Sequence, residues 1–196
     1  KRRAPLASLA VLVWAVLAPV SAGGQGFVFE STPRFDVTIV IEPSGDLLIT
    51  ETIVQEFGST ERHGIFRNIP NRLRYDNEFD RVFPIDLISV NASANTPDAV
   101  ETKEENGNFV IRIGDPDTTI TGRHTYEIVF RVQGAMNGLE THDELFWNAI
   151  GNQWEQSIGE MNVRVTAPAD VTRVACFEGT FGSTAECNQA RITTKG

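Results

Sequence analysis

Three histidines, His63, His124 and His142, are the first places to look for metal or acid–base chemistry. None stands in the HxH or HExxH spacing that turns two ring nitrogens towards one ion. His142, Asp143 and Glu144 are adjacent, and neighbouring strand residues point to opposite faces, so only a loop could gather them. Asp115-Pro116-Asp117 is too short to supply the alternating oxygens that calcium needs. No metal site is expected, and none of these patterns calls for a cofactor. Nucleophilic chemistry has no better footing. There is no GxSxG elbow, and no Ser or Thr is matched by spacing to a His and an Asp. A carboxylate pair for glycoside hydrolysis meets in space rather than in sequence, so a hydrolase is the third reading, with no residue singled out. The chain is read as not an enzyme.

Two further clusters carry chemistry of recognition. Phe146-Trp147-Asn148-Ala149-Ile150-Gly151-Asn152-Gln153-Trp154 is the densest polar-aromatic stretch. Trp147 and Trp154, with Asn148 and Asn152, could stack on and hydrogen-bond a sugar, which makes a glycan-binding module the second reading. The plainer reading caps the core with both tryptophans and uses Asn and Gly for the turn. Arg62-His63-Gly64-Ile65-Phe66-Arg67-Asn68-Ile69-Pro70 joins cations, an aromatic ring and a glycine free to take positive φ. His63 and Arg67 could form an anion or partner site. Alternatively, Arg67 pairs with an acidic strand residue while Ile65 and Phe66 fill the core.

The elements that must hold these residues are strands. Phe35, Val37, Ile39 and Ile41 alternate with more polar neighbours, and Pro43-Ser44-Gly45-Asp46 turns the chain into a second strand, Leu47 to Phe57. Residues 58–78 show no clean period and read as an extended connection. Pro84 interrupts a candidate at 81–91, marking it as bulged or at an edge. Val100–Lys103 and Phe109–Ile113 flank an Asn106-Gly107 hairpin tip. Tyr126, Ile128, Phe130 and Val132 alternate with Thr125, Glu127, Val129 and Arg131. Short strands are also expected at 145–149, 161–167 and 171–177, and 153–159 could hold one helical turn. About nine short strands at this spacing predict an all-β fold, an antiparallel β-sandwich.

Composition sets the compartment. Lys1, Arg2 and Arg3 precede an apolar run from Ala4 to Val20, and Ser21 and Ala22 follow as small residues. That order is a secretory signal with cleavage expected after Ala22; a retained N-terminal anchor is the alternative. Acidic residues outnumber basic ones, 26 to 17, for a formal net charge of −9, and no basic cluster interrupts them. Nucleic-acid binding is therefore not expected. Cys176 and Cys187 form an even pair in an exported chain, which favours a disulfide closing a short glycine-containing loop. The organisation expected is a signal at 1–22, a short N-terminal segment at 23–34, the sandwich at 35–188 and a polar exit linker at 189–196.

Three stretches in this order resemble the DUF2207 family of predicted membrane proteins. His63-Gly64-Ile65-Phe66-Arg67-Asn68-Ile69-Pro70 is similar to its GIYRxIP signature. Pro43-Ser44-Gly45-Asp46 and Thr50-Glu51 match its opening strand pair. Tyr126 to Val132 and Asp143-Glu144-Leu145-Phe146-Trp147-Asn148-Ala149-Ile150-Gly151, with Trp154, match its YxIxYxV and DELYWNxxGxxW blocks. Phe66 and Phe146 stand where the family often has Tyr. The resemblance covers about residues 27–190. It implies an extracytoplasmic β-sandwich followed by transmembrane helices, with no established activity. The function expected is therefore a non-catalytic, membrane-tethered domain on the extracytoplasmic face, secretion being the alternative. It would be tethered through a segment downstream of residue 196, and its partner would be a protein or a glycan.

Overall fold

The computed structural model describes residues 29–74, 77–151, 153–180 and 182–193. The signal-like segment at 1–22 lies outside them. Among the described residues there is no helix, and no helix long and apolar enough to cross a membrane. The strands are β1 (Ser31–Ile41), β2 (Leu47–Glu56), β3 (Gly64–Pro70), β4 (Arg72–Arg74), β5 (Asp80–Val82), β6 (Ile85–Ala92) and β7 (Val100–Glu105), followed by β8 (Asn108–Gly114), β9 (Arg123–Val132), β10 (Met136–Gly138), β11 (Asp143–Leu145), β12 (Ile158–Thr166), β13 (Phe177–Glu178) and β14 (Ala185–Glu186). The helical turn expected at 153–159 is absent, because β12 begins at Ile158. The strand expected at 171–177 reduces to the two residues of β13.

Two sheets supply the core. One runs β12-β1-β2-β9-β6 and the other β3-β8-β7. Period-two alternation decides which side chains meet between them. Phe35, Val37 and Ile39 of β1, Leu47, Ile49 and Ile53 of β2, and Tyr126, Ile128, Phe130 and Val132 of β9 are all at most 1% exposed. They share one cluster with Ile65 and Ile69 of β3 and Ile111 and Ile113 of β8. Each such side chain contributes on the order of 1.5–3 kcal/mol by leaving water.

Turn chemistry follows the residues. At the β1–β2 turn Gly45 takes φ +87° and donates to the Glu42 carbonyl at 2.9 Å. Asn106 and Gly107 both take positive φ at the β7–β8 tip, as a two-residue hairpin requires. The Pro84 interruption separates β5 from β6; β6 is an edge strand, and its register with β9 shifts between Leu87 and Ser89.

Three expectations need correction. The five-stranded sheet is not wholly antiparallel: β12 runs parallel to β1, with Val37 beside Val163 and Ile39 beside Val165. Parallel partners need a crossover, which residues 133–157 provide by carrying the chain from β9 past β2 to the far side of β1. The strand region starts at Ser31, inside the segment assigned to 23–34. Residues 58–78 are not a plain connection either, since they contain β3 and β4.

Gly64 and Gly114 face each other at the end of the β3–β8 ladder, with φ of +140° and +144°. A Cβ on Gly64 would lie 1.9 Å from the Ile113 carbonyl oxygen, and one on Gly114 the same distance from that of His63. Gly64→Ala should therefore lower stability by about 1–3 kcal/mol through backbone strain, with the clash in addition. Urea unfolding of the variant measures the loss.

Candidate functional site

On the inward face β2 breaks its apolar pattern at Glu51 and Gln55, and β3 breaks its own at Arg67. On β2 the buried positions run Leu47, Ile49, Glu51, Ile53 and Gln55. On β3 they run Ile65, Arg67 and Ile69. Glu51 and Arg67 are each 1% exposed, and they face each other from the two sheets. Arg67 Nε donates to Glu51 Oε2 at 2.7 Å, and Nη2 donates to Oε1 at 2.6 Å, a two-point pair.

The remaining N–H groups are spent on backbone. Nη1 donates to the carbonyls of Asn68 (2.6 Å) and Ile150 (2.8 Å), and Nη2 also donates to that of Ala149 (3.3 Å). A guanidinium has five N–H donors, and all five are used. Its plane lies near the rings of Phe35 and Trp154, 5.5 and 5.9 Å from their centroids. Phe35 and Trp154 meet edge to face at 5.4 Å.

The 147–154 stretch is folded around this cation. Trp154 Nε1 donates to the Ile150 carbonyl at 2.9 Å, and the Gly151 amide donates to Asn148 Oδ1 at 2.9 Å. Gly151 takes φ +87°, and a Cβ there would sit 3.1 Å from the Asn68 carbonyl oxygen and 3.3 Å from Arg67 Nη1. Trp147 packs on the core edge to face with Phe83, at 6.3 Å. The arrangement clasps a long crossover segment to the middle of the core.

The six residues singled out by sequence thus separate. Arg67, Trp154 and Asn148 belong to the clasp or its turn. Trp147 adjoins it, and each tryptophan is half-buried rather than displayed as a flat platform. Asn152 lies outside the described residues. His63 is exposed and serves another place: its Nδ1 faces the carbonyls of Asp115 at 3.2 Å and Thr118 at 3.1 Å, two acceptors that require that nitrogen to carry the proton. Phe66 does not fill the core; it is 61% exposed, because alternation turns it outward between Ile65 and Arg67. Glu51 is the residue the sequence reading left unassigned, although a lone acid on an inward strand position was the available signal.

Cys176 and Cys187 are joined in a disulfide with Cα atoms 5.4 Å apart, next to the β13–β14 pair. Among the described residues no three His, Cys, Asp or Glu side chains gather as metal ligands. The Thr32 hydroxyl donates to the other inward polar group of β2, Gln55, at 2.9 Å. The Tyr126 hydroxyl is buried with no hydrogen-bond partner among the described residues, and burial pushes it up to about 12.

An all-β domain built on two sheets, with a buried Arg–Glu pair fixing its long crossover, is the class of protein these observations define. The chain belongs to the DUF2207 family: residues 31–195 match the family's predicted membrane protein N-terminal domain. No curated protein matches the chain. Among solved structures, native yeast LTA4 hydrolase is similar at 11% identity and a TM-score of 0.47, over 79% of this chain and 26% of that one. The M1 zinc metallopeptidase E323A mutant from Deinococcus radiodurans, bound to a Tyr-ser-ala substrate, is similar at 12% identity and a TM-score of 0.45, over 81% of this chain and 37% of that one. The chain therefore spans between a quarter and two fifths of those two chains, and so slight a likeness has no bearing on its chemistry.

Removing one partner of the clasp should cost far more than removing both. Arg67→Ala leaves Glu51 buried and unpaired, with an expected loss of about 3–5 kcal/mol. Glu51→Leu/Arg67→Met in one chain should recover much of that loss while freeing the 147–154 segment. Urea unfolding gives the first quantity, and limited proteolysis within 147–154 gives the second. Tyr126 makes a separate pH prediction. Its ordinary value is 10.0 and its folded value about 12, so the folded state favours the neutral phenol. The stability from this group is full below pH 10 and is lost as pH rises towards 12. Tyr126→Phe should remove that alkaline loss, and also gain about 1 kcal/mol by deleting an unpaired hydroxyl. Denaturant midpoints across the alkaline range check both.

Proposed function

We propose that this domain is a non-catalytic interaction module, held at the membrane and working on the extracytoplasmic side. The observation that carries the non-catalytic part is the full commitment of Arg67. The most chemistry-bearing residues of the family motifs, Arg67, Glu51 and Trp154, spend their polar groups on one another and on backbone carbonyls. Such a network supports the reading of the motifs as architecture. A free catalytic base or anion site would leave a polar group for a substrate.

The compartment rests on other support. A cationic start, an apolar run and a small-residue exit at 1–22 direct export. The cysteine pair forms a disulfide, which suits an oxidising compartment. The family's description as a predicted membrane protein favours a tether. Protease treatment of intact cells tests the orientation. The domain should be digested without lysis, and its cysteines should be alkylated only after reduction. Full protection in intact cells, with two thiols alkylated before reduction, would reverse the assignment.

A further inference from the structure

The two edges of the five-stranded sheet are finished differently. β6 is bulged, which spoils an edge for further pairing. β12 is not: its register with β1 is unbroken from Glu160 beside Arg34 to Thr166 beside Val40. Its inward side chains are also left over. Val163 and Val165 are each 45% exposed, although their register partners Val37 and Ile39 are 1% exposed. β12 thus overhangs the core, offering an open ladder and an apolar strip on one strand.

Backbone direction shows which residues are available. The Glu42 amide donates to the Asp46 carbonyl, and the β1–β2 register is unbroken back to Arg34, so Phe35, Val37 and Ile39 point their backbone at β12. In a parallel pair they bond the N–H and C=O of Glu160, Asn162 and Arg164, which turns those of Met161, Val163 and Val165 towards the open edge. The side chains of Glu160, Asn162 and Arg164 lie on the outward face, beside Arg34, Asp36 and Thr38 of β1. Asp36 holds Arg34 at 2.6 Å and Asn162 at 3.0 Å, which keeps Asp36 below the usual carboxylate range. Glu160 accepts only from Asn162, at 3.1 Å, and Arg164 has no ion pair among the described residues.

We infer that β12 pairs antiparallel with β12 of a second copy of this chain, about a two-fold axis through Asn162. The sequence of β12 is self-complementary in that register. Glu160 of one copy stands opposite Arg164 of the other, twice over. Met161 stands opposite Val163 on the inward face, which joins the two apolar strips. The register also respects backbone alternation: Met161 and Val163 meet as hydrogen-bonded pairs, and Glu160 and Arg164 as the more closely spaced non-hydrogen-bonded pairs. The two five-stranded sheets become one. The inference does not depend on the compartment or on the absence of catalysis.

Light scattering and sedimentation equilibrium on the full-length protein test it. The wild type is expected to dimerise. Glu160→Arg places two like-charge pairs across the axis and should weaken the dimer about tenfold, and Arg164→Glu should do the same. Glu160→Arg/Arg164→Glu in one chain should restore it. An equimolar mixture of the two single variants should form a heterodimer tighter than either homodimer. Val163→Pro should also weaken the dimer, because it removes an N–H on the open edge and no bond to β1. A monomeric wild type, or a dimer indifferent to both charge reversals, would overturn the inference.

Discussion

The ion pair between Glu51 and Arg67 is the constraint on which this domain is arranged. Two charges are taken from water into the space between the sheets, at a desolvation cost of several kcal/mol for each. That cost is offset only where every lone pair and proton is matched. Two N–H groups of Arg67 go to Glu51, and the remaining bonds go to carbonyls of β3 and of the 149–150 backbone. The Ala149 and Ile150 carbonyls belong to a crossover that would otherwise lie on the core with unpaired backbone groups. The pair therefore does more than join two sheets. It supplies the donors that let an irregular segment sit against an apolar interior, and it leaves that segment one position in which to do so.

The parallel placement of β12 follows from this. The chain leaves β9, next to the edge strand β6, and must reach the far side of β1. The route is long and loop-like, and long irregular routes have many conformations to lose. Fixing its midpoint on Arg67, with the rings of Trp154 and Phe35 meeting edge to face beside the guanidinium, divides one long closure into two shorter ones. Trp147 against Phe83 secures the path ahead of the midpoint. Arg67, Trp147 and Trp154, three of the residues that carry the family resemblance, are among those that hold this path.

Much of the fold was legible because alternation is a local signal. β1, β2, β8 and β9 follow from their apolar periods, and the β7–β8 turn follows from Asn106-Gly107. β3 was not read as a strand, for a physical reason: its central inward residue is an arginine. A period of two in hydropathy breaks at Arg67 just as it does at Glu51, and neither break can be interpreted until the partner is known. Parallel pairing of β12 was equally hidden, since nothing in Ile158–Thr166 states which neighbour it will take. The disulfide needed only two cysteines and a compartment. Phe66 misled because an aromatic beside a buried residue reads as core, whereas strand geometry sends neighbours to opposite faces.

The parallel pairing of β1 with β12 has a mechanical side. Thr32 lies beside Ile158 and Val40 beside Thr166, so the chain enters the pair at one end and leaves it at the other, about 30 Å away for nine residues of strand. Tension between the chain ahead of β1 and the chain behind β12 runs along the strands. It loads the hydrogen bonds between them in shear, all together, instead of opening them one after another from an end. A domain strung this way is built to carry a longitudinal pull without unzipping.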